Sequence, residues 1–188
     1  MSDLPDLPPS TTTERLTLSR PAEHDLPELH ELHADPRVWE HLPAARHTAP
    51  EQTRALIDRY LAGWEANGLD VWVVRDSETG SLVGIGGPSL RGGLAWNLYY
   101  RLSPSAWGHG YAQEIIAAAR AAVAERGPDL PLVAYLLEHN EGSRRTAERA
   151  GLQVAWRGHD EGNPDRDAVR LVFADRPLSA AALRVFVA

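Results

Sequence analysis

Residues 107–114 read WGHGYAQE, two glycines one residue apart running into an apolar-periodic stretch. Ile115, Ile116, Ala119, Ala122 and Val123 recur at helical spacing, and Gly127-Pro128 stops them. The pattern predicts a helix over Tyr111 to Arg126 with the glycines at its N-terminus. Such an end leaves backbone N–H groups without intrahelical partners and carries the positive end of the dipole. Glycine lets the backbone turn with positive φ and approach a ligand closely. The segment therefore suits a phosphate, although a GxG turn also arises for steric reasons alone. A dinucleotide fingerprint is disfavoured. Gln113 stands where the third glycine of GxGxxG belongs, and the segment lies late in the chain, not in an opening βαβ unit.

On the N-terminal side, Leu94 to Leu102, Leu82 to Pro88 and Val71 to Arg75 read as three antiparallel strands in a meander. Before them, Pro50 to Ala66 reads as a helix ended by Asn67-Gly68, and Leu26, Leu29 and Leu32 mark a shorter helix closed by Pro36. Arg15 to Ser19 alternates as a strand, and residues 1–13, rich in Pro, Ser, Thr and Asp, read as a flexible lead-in. On the C-terminal side follow a strand over Leu130 to Leu136, a short helix over Glu141 to Ala150, and a strand over Leu152 to Arg157. Strand, helix, strand is the pattern of a crossover between parallel strands. Ala168 to Ala174 gives a last strand, and residues 176–188 are left as a tail. The whole is one domain, spanning residues 14–175.

Composition narrows the chemistry. The 188 residues include no cysteine, which excludes disulfides, thiolate metal sites and a cysteinyl intermediate. All 19 basic residues are arginine, so a lysine Schiff base and a P-loop lysine are excluded as well. A net charge of -7 argues against a nucleic-acid binder. Residues 91–157 nevertheless hold eight Arg against six acids, leaving eleven Arg against twenty acids elsewhere. An anionic cofactor is less repelled in that stretch. No apolar run is long enough for a membrane span, and the N-terminus lacks a basic start and an apolar h-region, so a cytoplasmic location is expected. His30 and His33 share a helix face, but with no third ligand in register they read as a surface pair, not a metal site.

The element order, WGHGYAQE, and NEGSRRTAERAGL at 140–152 together resemble the GNAT acetyltransferase superfamily, in particular its ribosomal-protein N-terminal acetyltransferase branch. The resemblance spans about residues 11–175. It implies an α/β (α+β) fold: a mixed, mostly antiparallel twisted sheet of six or seven strands with a splayed parallel central pair, and about four helices. It also implies acetyl-CoA as co-substrate, an amine acceptor (a protein N-terminus or a small molecule), and no metal. A homodimer is compatible with the sequence, which does not fix the oligomeric state. A GNAT-like domain that binds acyl-CoA only as a regulatory or interaction module is the alternative.

By the same resemblance the pyrophosphate falls to backbone groups of Trp107, Gly108, His109, Gly110, Tyr111 and Ala112, with Leu102 closing the strand beside the acetyl group. Ser105 stands where the family's turn often begins with Arg or Gln, and His109 where the residue between the glycines is often basic, leaving the backbone donors as the main grip. Asn140 is expected near the pantetheine arm and also sits where an N-cap belongs. Ser143 is expected near the CoA sulfur. Ala147 stands where many members carry a tyrosine acid, so Ser143 is the motif-matched donor to the departing thiolate. Arg145 is assigned to the anionic cofactor, whereas Arg149 is read as solvated. Alternation in WNLYYRL (96–102) puts Asn97 and Tyr99 on the face opposite Trp96, Leu98 and Tyr100. Asn97, Tyr99 and Trp39 are assigned to the acceptor pocket. At about pH 7.4 an α-amine of pKa ~7.8 is roughly a quarter neutral, against about 0.1% for a lysine, so an α-amine needs less help from a base. Glu161 is the candidate base.

Overall fold

The computed structural model describes residues 10–161 and 163–187. Eight strands form one sheet: β1 (Ser10–Thr12), β2 (Leu16–Ser19), β3 (Trp72–Asp76), β4 (Leu82–Arg91), β5 (Ala95–Leu102), β6 (Leu132–Leu137), β7 (Gln153–His159) and β8 (Val169–Ala174), in the order β1-β2-β3-β4-β5-β6-β8-β7. Five α-helices cover it: α1 (Leu26–Ala34), α2 (Pro50–Asn67), α3 (Tyr111–Arg126), α4 (Glu141–Arg149) and α5 (Ala180–Val187). No helix among the described residues is long and apolar enough to cross a membrane. All neighbouring strands are antiparallel except β5 and β6, which α3 connects as a crossover.

Four expectations need correction. The sheet has eight strands, not six or seven, because Ser10–Thr12 pairs with β2 through Ser10↔Ser19 to Thr12↔Thr17. Those residues therefore belong to the sheet and not to a lead-in; residues 1–9 of that lead-in lie outside the described residues. The parallel pair is β5–β6. β6 and β7 run in the same direction, but β8 inserts between them and pairs antiparallel with both. The tail forms a fifth helix, whose Phe186 is 2% exposed and packs with Ala95, Val133, Val172 and Ala174.

Period-two alternation divides the strands between two faces. Trp72, Val74, Trp96 and Leu98 meet Ile115, Ile116, Ala119 and Val123 of α3 and Ala147 of α4. Val71, Val73 and Ile85 meet Leu29 and Leu32 of α1 and Leu56 and Ile57 of α2, with α5 further along this second face. His33 on α1 is fully buried there, so the expected surface pair is half wrong. Its Nδ1 lies 2.8 Å from the Leu29 carbonyl and its ring stacks on His47 at 4.7 Å.

Truncating Phe186→Ala is expected to cost about 3 to 5 kcal/mol in denaturant unfolding, as for other large core aromatics; a helix merely resting on the surface would lose far less. Burial pushes the His33 imidazole down to about 3, with Arg101, His47 and His30 adding repulsion of the charged form. Stability from its neutral form is complete above the unfolded value of about 6.5 and is lost as pH falls toward 3, by up to about 1.4 kcal/mol per unit. Unfolding at pH 7, 6 and 5 is expected to show a steeper loss for the native chain than for His33→Gln.

Candidate active site

β5 and β6 are bonded only at Trp96↔Leu132 and Asn97↔Val133. Beyond that vertex the strands part, while β5 stays paired with β4 up to Gly84↔Leu102. The edge of β5 from Leu98 onward therefore faces a wedge, not a strand. A cleft of 1510 Å³ occupies this region; it is lined by Leu98 to Leu102, by the glycine turn and the N-terminus of α4, and on the other face of the sheet by parts of α1 and α2.

At the mouth of the wedge, Gly108 and Gly110 adopt φ of 79° and 81°. A Cβ on Gly108 would meet nothing within 4 Å, so glycine is required there for its left-handed backbone and not for space. No side chain caps α3; the Gln113 N–H is taken by the Gly110 carbonyl at 3.0 Å, which leaves the Tyr111 and Ala112 N–H groups for a ligand. Trp107 is half exposed and donates from Nε1 to the Leu102 carbonyl at 3.0 Å. Trp107, Gly108, Gly110, Tyr111 and Ala112 line the cleft, as does Leu102. His109 does not: its ring stacks on Tyr111 at 5.8 Å, and its carbonyl accepts from Arg15 Nη1 at 2.9 Å.

Arg15 is a residue sequence reading missed. It lies 4.7 Å over the Tyr111 ring and bonds Glu114 through Nε and Nη2 at 2.9 and 2.7 Å. Glu114 also accepts from Thr13 Oγ1 and the Arg15 N–H, at 2.5 and 2.8 Å. These bonds tie the start of β2 to the first turn of α3. Arg15 and Glu114 are 99 residues apart in the chain, so no local pattern announced them.

The N-terminus of α4 forms the facing wall. Asn140 caps it by accepting from the Ser143 N–H at 3.1 Å, and Gln113 on α3 donates to the Thr146 carbonyl at 2.9 Å, tying the first turn of α3 to the body of α4. Asn140 and Ser143 both line the cleft. Arg145 does not; it points outward to Glu141 at 3.3 Å, one turn back, whereas Arg149 reaches the cleft. Tyr100 is a second missed residue. Its hydroxyl donates to the Ser143 carbonyl at 3.3 Å, and burial raises its pKa, so the phenol keeps its proton. It comes from β5 toward α4, where Ala147 leaves no tyrosine.

On the opposite face, Trp39, Asn97 and Tyr99 line the same cleft. Arg101 organises two of them: its guanidinium lies 3.4 Å over the Trp39 ring, and its Nε donates to the Tyr99 hydroxyl at 2.8 Å. The Trp39 indole donates to the His33 carbonyl at 2.7 Å, fixing the segment after α1. Burial, with Arg101 and His139 nearby, pushes the His41 imidazole in this wall down to about 4, so it is neutral at pH 7. Glu161 is not part of the cleft. Its side chain is 72% exposed and lies 3.8 Å from His159, because the loop after β7 turns it to solvent; its neighbour Asp160 lines the cleft instead, paired with Arg170.

A family model described as an acetyltransferase (GNAT) domain matches residues 15–153. Among solved structures, an acetyltransferase from Agrobacterium tumefaciens is 27% identical with a TM-score of 0.68, covering 93% of this chain and 98% of its own. An acetyltransferase from Salmonella typhimurium, described as modifying the N-terminal serine of ribosomal protein L7/L12, is 19% identical with a TM-score of 0.74, covering 89% of this chain and 97% of its own. A ribosomal L7/L12 α-N-protein acetyltransferase in complex with coenzyme A is 20% identical with a TM-score of 0.73, covering 94% of this chain and 98% of its own. The matched model takes in the glycine turn, both helix ends and the diverging strands, and by it the chain belongs to the GNAT acetyltransferase family.

Proposed function

We propose that this protein moves an acetyl group from acetyl-CoA to a primary amine, either a protein N-terminal α-amine or a small-molecule amine, by direct attack in a ternary complex. The observation that carries this reading is the two-residue β5–β6 pairing, which leaves an unpaired strand edge running toward an uncapped helix end. The N–H groups around Gly108 to Ala112 suit a diphosphate, and the free β5 edge suits an amide-bearing arm whose thioester would lie near the vertex. The amine nitrogen attacks the thioester carbon, the C–N bond forms, and the C–S bond then breaks. The amine gives up one proton and the departing thiolate takes one. Ser143 and Tyr100, whose hydroxyl bonds the Ser143 carbonyl, are the proposed donors to the sulfur, and with no cysteine in the chain no cysteinyl intermediate precedes the attack. The likeness to enzymes described as acting on a ribosomal protein N-terminus supports an α-amine acceptor.

Three predictions test this reading. A Gly108→Ala substitution forces a Cβ into a left-handed backbone at a cost of about 1 to 2 kcal/mol, so calorimetric affinity for acetyl-CoA is expected to fall about tenfold with little change in fold. Arg15→Ala is expected to weaken binding in the same direction by releasing the turn. Ser143→Ala and Tyr100→Phe are expected to leave that affinity near native while lowering kcat by about 10²-fold for whichever hydroxyl donates the proton. Unchanged kcat in both variants would remove side-chain acid catalysis from the scheme.

A further inference from the structure

On the α1/α2 face of the cleft lie three buried polar side chains, of which Asn97 has a buried acceptor with no partner and Asp70 a carboxylate bonded through one oxygen. Asp70 is 6% exposed; its Oδ1 accepts from the Val71 N–H at 2.7 Å, while Oδ2 has no hydrogen-bond partner, and the residue is in no ion pair among the described residues. Asn97 is 2% exposed, and its Oδ1 is buried without a partner. Ser89 is 6% exposed and sits opposite Asn97 in the β4–β5 register. All three line the cleft. Buried polar groups are normally satisfied, so an unmet acceptor facing a cavity marks a place where a ligand donates.

Sheet geometry brings them together. Trp72 pairs with Gly86, and a Cβ on Gly87 would lie 3.2 Å from the Val71 Cα, so Asp70 is beside Pro88, one residue from Ser89. Pro88 pairs with Leu98, the residue after the vertex. Asp70 is thus about two strand spacings, roughly 10 Å, from where β5 and β6 part. The Asp70 carboxylate packs flat on α2: a Cβ on Gly63 would come within 1.9 Å of Oδ2. Glycine at position 63 allows the carboxylate its place.

We propose that Asp70, with Asn97 and Ser89, is a subsite for a positively charged group of the acceptor, an ammonium or guanidinium remote from the amine that is acetylated. Such groups are donors only, and they match a site whose open positions are acceptors. The separation from the vertex assigns this charge to a side chain of the acceptor and leaves the reacting amine free to be neutral. Burial also pushes the Asp70 carboxyl up to about 6, with Arg91 pulling it back without reaching ion-pair distance, so it is ionised at pH 7 yet gains from a cation. The other charged groups lining the cleft from this side are Arg59 on α2, Arg37 (paired with Asp35) and Glu40 beside Trp39, and Arg101, which is held by Trp39, Tyr99 and the Val38 carbonyl.

The inference rests on the acetyltransferase reading, and one experiment separates the two. L-argininamide, L-norleucinamide and L-glutamic acid 1-amide share an α-amine and differ in the second charge. Each is titrated calorimetrically into the full chain saturated with CoA and assayed for acetylation with acetyl-CoA. Argininamide is expected to bind and react about tenfold better than norleucinamide, with the glutamate amide poorest. Asp70→Asn, which keeps the bond to Val71, and Gly63→Ala, which displaces the carboxylate without removing its charge, are both expected to erase that preference while the α-amine still reacts. Equal binding of the three amides, no binding of any, or preference for the glutamate amide through Arg59 and Arg91 would overturn the subsite. Turnover without charge preference would do so while leaving the acetyltransferase reading intact. Asp70-dependent binding of argininamide with no turnover of any amide would uphold the subsite and count against that reading.

Discussion

The divergence of β5 from β6 is the constraint on which the rest of the molecule depends. Two parallel strands joined at Trp96↔Leu132 and Asn97↔Val133 and nowhere beyond must leave backbone groups unpaired on both inner edges. Buried backbone groups of this kind are costly unless something completes them. Here the interruption is held open by the packing of α3 and α4 on one face and of α1, α2 and α5 on the other. The wedge is therefore a product of the core, and it positions a free strand edge beside two helix N-termini.

The proposed roles divide between the faces of the sheet: cofactor binding on the turn side, acceptor selection on the other. The turn side offers backbone donors stiffened by the Arg15–Glu114 network. The α1/α2 side offers an aromatic wall clamped by Arg101, then the buried polar residues Asp70, Ser89 and Asn97. Between them Tyr100, Ser143 and Asn140 surround the end of α4. Because each strand alternates, neighbouring residues of β5 serve opposite sides: Tyr99 faces the α1/α2 side while Tyr100 reaches α4.

What was legible beforehand was local. WGHGYAQE carried the positive-φ glycines and the opening of α3, and Asn140 carried its cap, because turn and cap chemistry depend on a few consecutive residues. WNLYYRL gave the correct faces by alternation alone. The errors were of another kind. Glu161 and Arg145 were chosen from short motifs, and their direction depends on how a loop and a helix sit against the cleft. The β6–β7 pairing was read from chain order, which does not reveal that β8 inserts between them. The tail gave no periodicity strong enough to show that Phe186 completes the core.

The amino-acid sequence by itself determined the family, the turn geometry at Gly108 and Gly110, the alternation of β5 and the absence of thiol and lysine chemistry. Each of these is a property of residue type and short-range spacing. Only the tertiary structure decided the length of the parallel pairing, the meeting of Arg15 with Glu114 across 99 residues, and the burial of Asp70 against Gly63 beside Ser89 and Asn97. Those depend on long-range packing, in which a side chain's environment is set by elements far from it in the chain.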